Sequence, residues 1–135
     1  MAELVACIKY QLPVKVVVTK NNTLGQIKWE QMVFLGNPEY GVGLQPIDFA
    51  MFAQACGARG FTIEDPKQCA TVVEEALSVP GPAIIEAVVD PFEPPMPAKT
   101  TVDQAAKLAE SLMRGQPNRS RIALTILSDK VREIV

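Results

Sequence analysis

The stretch Leu12-Pro13-Val14-Lys15-Val16-Val17-Val18-Thr19-Lys20-Asn21-Asn22-Thr23-Leu24-Gly25 constrains the fold more than any other part of the chain. β-Branched residues lose side-chain freedom in a helix and pack well on a pleated surface. A short run of them from Val14 to Thr19, opened by Pro13, therefore reads as a strand. Its nearly unbroken apolar character marks a fully buried strand of a parallel sheet. The run empties into two asparagines, a threonine and a glycine, and a helical pattern follows. In open α/β sheets, ligands gather just beyond the carboxyl ends of the strands. An asparagine amide is a neutral oxygen ligand, and a glycine lets the backbone approach whatever is bound. Residues 21–25 have the outline of a cofactor loop.

Around this strand, helical and extended patterns alternate. Leu4, Val5, Ile8 and Leu12 place an apolar stripe on a helix from Ala2 to Gln11. A short helix is expected from Leu24 to about Phe34, with Ile27, Trp29, Met32 and Phe34 as its apolar residues. Residues 35–43 are turn-rich and read as a surface loop. Pro46 suits a helix start, and that helix runs to Cys56 with Gly57 as its C-cap. Phe61-Thr62-Ile63 is a short strand. Asp65 and Pro66 open the next helix, whose inner face carries Cys69, Val72, Val73, Ala76 and Leu77. Ala83 to Val89 is another buried strand, closed by Asp90-Pro91. This order predicts an α/β fold with a mainly parallel sheet. Residues 92–100, with Pro94, Pro95 and Pro97, read as an extended polyproline connector. Thr101 or Asp103 caps a helix through Leu112, and Gly115 to Asn118 break it. Ser120 to Val135 make a last helix with Ile122, Ile126, Leu127, Val131 and Ile134 inward.

Composition removes several function classes. Thirteen basic against fifteen acidic residues give a net charge of −2, which offers no footprint for nucleic acid. No apolar run approaches the roughly 20 residues that span a bilayer. Met1-Ala2-Glu3 lacks the basic start of a secretory signal. Cys7, Cys56 and Cys69 show no CxxC spacing, and the chain has no histidine. Zinc sites and cysteine–histidine catalysis are poor readings, and free, buried cysteines fit a reducing cytoplasm.

Several segments, in order, carry a resemblance to a known family. They are Tyr10-Gln11-Leu12-Pro13-Val14-Lys15-Val16-Val17-Val18, Asn21-Asn22-Thr23-Leu24-Gly25, Lys28-Trp29-Glu30-Gln31 and Phe34-Leu35-Gly36-Asn37-Pro38-Glu39-Tyr40-Gly41. Asp48-Phe49-Ala50, Ala55-Cys56-Gly57-Ala58 and Pro80-Gly81-Pro82-Ala83-Ile84-Ile85-Glu86 complete the set. Together they resemble the carboxy-terminal part of thiamine-diphosphate-dependent enzymes. The likeness is closest to pyruvate oxidase and quinone-dependent pyruvate dehydrogenase, with acetolactate synthase a near relative. The resemblance implies a three-layer α/β thiamine-diphosphate-binding fold, incomplete at its amino end. It divides the chain into a partial domain over 1–91, the connector 92–100 and a helical extension over 101–135.

The resemblance also implies a site. Asn21 would ligate Mg²⁺ through its side chain and Thr23 through its main-chain carbonyl, with diphosphate oxygens alongside. Asn22 and Gly25 would shape the loop, and Leu24 would pack near the cofactor. Glu30 falls where related pyruvate enzymes carry an acidic residue near the substrate. Gln26 replaces the large apolar side chain the family places after the glycine. The family's Gly-Asp-Gly half of the site has no counterpart, since no Asp-Gly or Gly-Asp pair occurs in the chain. The implied activity is decarboxylation of a 2-oxo acid, pyruvate, with FAD possible through a segment that this chain lacks. The chain alone is expected to be inactive, a portion of a homo-oligomeric parent. The alternatives are a non-catalytic interaction or assembly module and an acetolactate-synthase-like carboligase portion. The last helix mixes Arg119, Arg121, Lys130 and Arg132 with Asp129 and Glu133, so packing on protein is favoured over contact with a membrane surface.

Overall fold

The computed structural model of the protein describes residues 2–93 and 101–132. The chain packs as two compact units, each built from two separate stretches. Residues 1–21 and 46–89 form the first, and residues 22–45 and 90–135 the second. Segment 22–45 therefore belongs with the carboxy-terminal helices, although it lies in sequence between elements of the first unit.

The first unit is a three-stranded parallel sheet of β1 (Lys15–Lys20), β2 (Arg59–Ile63) and β3 (Ala83–Val88) in the order β1-β3-β2. Helix α1 (Ala2–Lys9) and helix α3 (Phe49–Ala55) cover one face. There Leu4, Ile8, Phe49, Phe52 and Ala53 meet Val18 and Ile84. Helix α4 (Cys69–Ser78) covers the other, packing Val72, Val73 and Ala76 on Phe61, Ile63, Ile85 and Ala87. Ile84 and Ile85 point to opposite faces because strand side chains alternate. The result is the three-layer α/β arrangement expected. Gly60 makes the α3–β2 contact possible: a Cβ there would stand 2.1 Å from the Ala50 carbonyl oxygen.

Several local expectations are corrected. β1 is parallel but not fully buried, and Val17 is 59% exposed. Its position at an edge of the sheet, with β3 as sole neighbour within it, accounts for this. Helix α1 ends at Lys9 and not at Gln11, and Gln11 in the left-handed region (φ 54°) turns the chain, where the Leu12 N–H reaches back to the Cys7 carbonyl. The third helix starts at Asp48 and not at Pro46, since the Asp48 carboxylate accepts from the Met51 N–H at 2.6 Å. Asp65 and Pro66 do open the fourth helix, through a 3₁₀ turn at Pro66–Gln68. Cys69 and Leu77 are exposed because only the stripe between them meets the sheet. Cys7 and Cys56 are half-buried, and all three cysteines are free thiols.

The second unit comprises helices α2 (Gly25–Val33), α5 (Val102–Met113) and α6 (Arg119–Arg132) with the loop that follows α2. Its core is Trp29, Met32, Val33, Phe92 and Ile122, flanked by Leu108, Leu112 and Ile126. Thr101 caps α5 in a reciprocal capping box with Gln104. Gly115 (φ 97°) and Asn118 (φ 56°) turn the chain between α5 and α6. Leu127 is exposed and not inward, because Ile122 and Ile126, one helical turn apart, already define the core face. Ile27 and Phe34 are likewise exposed, and Lys28 takes the inner position beside Trp29. Of the expected connector, Phe92 is buried in this core within a turn whose N–H donates to Asp90 Oδ1. Residues 94–100, and the inward roles of Val131 and Ile134, lie outside what the structure describes. Among the described residues, no helix is long and apolar enough to cross a membrane.

Candidate functional site

The predicted loop divides at the end of β1. Asn21 closes the first stretch of the first unit, and Asn22 to Gly25 open the second unit. Asn22 adopts the left-handed conformation (φ 54°), which asparagine tolerates better than most residues. Thr23 then forms an antiparallel bridge with Gly43. The Leu24 N–H donates to the Val42 carbonyl at 2.9 Å, and the Leu44 N–H to the Asn22 carbonyl at 3.0 Å. The Thr23 hydroxyl adds a bond to the Val42 carbonyl at 3.2 Å. In such a bridge the paired bonds run through the neighbours of the bridged residue. The bridge therefore draws on the Asn22 and Val42 carbonyls and not on that of Thr23.

Directly after the bridge, α2 begins at Gly25 with no side-chain cap and no acidic residue in its first turn. The first N–H groups of a helix lack intrahelical partners and favour negative charge. The start of α2, where the N-cap Leu24 makes no side-chain bond, and the Asn21 amide and Thr23 carbonyl before it are neutral oxygen and amide groups. Such a set suits a hard divalent cation carried with phosphate oxygens. On these local features the residues fit a Mg²⁺–diphosphate group.

The other predicted residues lie as follows. Leu24 is 40% exposed and available to an apolar ligand surface. Glu30 sits on the exposed face of α2, where its Oε1 accepts from Gln26 Nε2 at 3.1 Å. Glu30 and Gln26, read separately in the sequence, are thus one i, i+4 pair.

Two ion pairs, each with one buried and one half-buried partner, were not anticipated. In the first unit, Glu86 on β3 accepts from Lys20 Nζ at 2.8 Å and from the Phe49 N–H at the start of α3. The Val89 N–H donates to the Lys20 carbonyl at 3.0 Å, so the last residue of β1 before Asn21 is held at both main chain and side chain. In the second unit, Lys28 is 2% exposed. Its Nζ lies 3.1 Å from Glu39 Oε2, 3.3 Å from the Pro91 carbonyl and 4.7 Å from the centre of the Phe92 ring. The Glu39 contact lies off the hydrogen-bonding direction, so it acts as a Coulombic pair. A sequence signal existed: Lys28, Trp29, Met32 and Val33 share one helical face, and a lysine on an apolar stripe needs a partner.

A concavity of about 540 Å³ lined by Gly57, Arg59, Glu75, Val79 and Gly81 opens at the amino ends of β2 and β3. It lies at the opposite end of the sheet from Asn21.

Residues 1–87 match the family described as thiamine pyrophosphate enzyme, C-terminal TPP binding domain. The chain belongs to the thiamine pyrophosphate enzymes. Thiamine pyrophosphate is thiamine diphosphate, so the ligand class expected from the sequence is that of the family. YdaP of Bacillus subtilis (strain 168), whose name describes it as thiamine pyrophosphate-containing, is 31% identical over 134 residues. That match covers 99% of this chain and 23% of YdaP. The acetolactate synthase large subunit of Pyropia yezoensis is 30% identical over 89 residues, 64% of this chain and 15% of that one. Acetolactate synthase of Bacillus subtilis (strain 168) is 28% identical over 88 residues, covering 65% of this chain and 15% of that one. The chain thus spans less than a quarter of the length of these relatives.

Proposed function

We propose that this thiamine pyrophosphate-binding domain supplies the Mg²⁺ and diphosphate part of the cofactor site in a 2-oxo-acid-decarboxylating enzyme, with pyruvate as the acid. The observation that carries the reading is the loop 21–25, which lies within the family match and leads into a helix whose N-cap residue, Leu24, makes no side-chain bond. In this reading the Asn21 side chain and the Thr23 main-chain carbonyl ligate Mg²⁺. Asn22 and Gly25 hold the loop's path, and the start of α2 receives diphosphate oxygens. Leu24 offers apolar surface to the cofactor, and Glu30 is the residue placed nearest the substrate. The bound cofactor supplies an electron sink for the carbanion left by decarboxylation, while the chain binds and orients it. The rest of the site comes from a further portion of the enzyme, which assembles as a homo-oligomer.

The ordered motif set supports oxidation as the fate of the product, with FAD held outside this chain. Carboligation is the second reading, favoured by the acetolactate synthases among the relatives. The test is pyruvate turnover with thiamine diphosphate and Mg²⁺ by the chain joined to the remainder of its enzyme. Carbon dioxide release is expected from the joined enzyme and not from these 135 residues alone. Acetate formed with a flavin- or quinone-linked acceptor supports oxidation. Acetolactate formed without one supports carboligation. No carbon dioxide release from the joined enzyme contradicts the reading.

A further inference from the structure

The second unit ties the loop to a polar cluster remote from it in sequence. Segment 22–44 is a closed loop: the bridge of Thr23 to Gly43 joins its ends, and α2 and residues 34–41 form its body. Two residues of α2 fasten the returning limb. Gln31 exchanges two hydrogen bonds with the Tyr40 backbone, its Nε2 donating to the carbonyl at 3.0 Å and its Oε1 accepting from the N–H at 2.9 Å. Lys28 takes Glu39. The turn between α5 and α6 adds two more ties. The Glu39 N–H donates to Oε1 of the buried Gln116 at 2.7 Å, and Arg114 Nη1 donates to Asn37 Oδ1 at 3.0 Å. From Tyr40 the chain passes through left-handed Gly41 to buried Val42, whose carbonyl takes the Leu24 N–H.

We propose that Lys28 and Glu39, with Gln116 behind them, are positioning residues for thiamine diphosphate. They set the limb 39–44 against Asn22 to Leu24 and so fix the direction of the Thr23 carbonyl. The inference rests on the proposed role of Thr23, but its mechanical half does not. A buried lysine has a fixed set of neighbours, because any other arrangement strands its charge. Held at Lys28, Glu39 fixes the start of a limb only three residues from Val42. A carboxamide at position 39 keeps the shape and loses the charge. An arginine at position 28 keeps the charge and forms carboxylate bonds of its own.

The experiment compares Lys28→Met, Glu39→Gln and Lys28→Arg in the full chain by amide hydrogen exchange. The Leu24 and Leu44 amides report the bridge, and the Ala105 and Ile122 amides report the helices of the same unit. Lys28→Met and Glu39→Gln are expected to speed exchange at Leu24 and Leu44 at least about tenfold more than at Ala105 and Ile122, and Lys28→Arg to restore protection. In the joined enzyme, the same two variants raise the KM for Mg²⁺–thiamine diphosphate about 10- to 100-fold, as loss of outer-shell support does, with kcat at saturation little changed. Equal acceleration at all four amides, or none, overturns the positioning role and assigns the pair to packing alone. Should Lys28→Met not fold, the isosteric Glu39→Gln is read the same way. Selective loss of protection in a protein whose unaltered form binds no Mg²⁺–thiamine diphosphate leaves the mechanical link standing and removes the functional reading instead.

Discussion

In the first unit, β3 lies between β1 and β2, and the parallel register places each strand residue opposite a defined partner. In the second, the described residues carry no sheet, only the isolated bridge of Thr23 to Gly43, and the loop body is held mostly by individual side chains, with one backbone bond from the Asn37 N–H to the Gln31 carbonyl. The two units bury their polar groups differently as a consequence. Glu86 is held against Lys20 on the neighbouring strand and against the start of α3, both fixed by backbone structure. Lys28 and Gln116 are buried against loop and turn segments, where few backbone bonds constrain the chain. A backbone-built frame distributes its stability over many equivalent bonds. A side-chain-built loop concentrates it in a few residues, and those residues become the way to move the loop.

Substitutions should separate the two kinds of construction. The largest effect is expected at Trp29, which is 2% exposed at the centre of the second core. Trp29→Ala should cost about 3–5 kcal/mol, read from the denaturant midpoint by circular dichroism. Glu39→Ala leaves the buried Lys28 charge, among the described residues, with the Pro91 carbonyl and the Phe92 ring, and should cost about 3 kcal/mol. Its unfolding can be followed by the fluorescence of Trp29, the only tryptophan in the chain. In the first unit, Gly60→Ala drives a Cβ into the Ala50 carbonyl and should cost about 1–3 kcal/mol by lifting α3 from β2. The smallest effects erase the contrast. Asp48→Ala in the first unit and Thr101→Ala in the second should each cost about 1 kcal/mol, because a helix cap is a local device in either setting. Unequal cap costs would show that the contrast between units reaches even local structure.

Much of the first unit was legible because its signals are periodic or local. The β-branched run at β1, the apolar run at β3, Asp65 with Pro66, and Gly57 at the end of α3 each carry their meaning within a few residues. Errors there were of phase and neighbourhood. Pro46 and Asp48 are both start signals, and only the Asp48 carboxylate reaches an amide of the first turn. The exposure of β1 depends on its place in the sheet, which strand composition does not encode. The second unit was less legible for a physical reason. The helical stripe of α2 is rotated so that Lys28 and not Ile27 faces inward, because Glu39 and Phe92 receive the ammonium there. That choice depends on partners brought in from the following loop and from beyond β3, and no window along α2 contains them. Residue type and order single out residues 21–25 as a candidate loop, but not the bridge to Gly43 that holds Thr23.

In the proposed function, Asn21 and Thr23 hold the metal and diphosphate of the cofactor. Calorimetric titration of the joined enzyme with thiamine diphosphate, with and without Mg²⁺, tests it most directly when repeated on Asn21→Ala. Mg²⁺-dependent binding is expected of the unaltered protein. The variant is expected to lose at least about 100-fold in affinity, beyond what removal of an outer-shell partner costs, with the folded state unchanged by circular dichroism. Equal Mg²⁺-dependent affinity in the two proteins would contradict it.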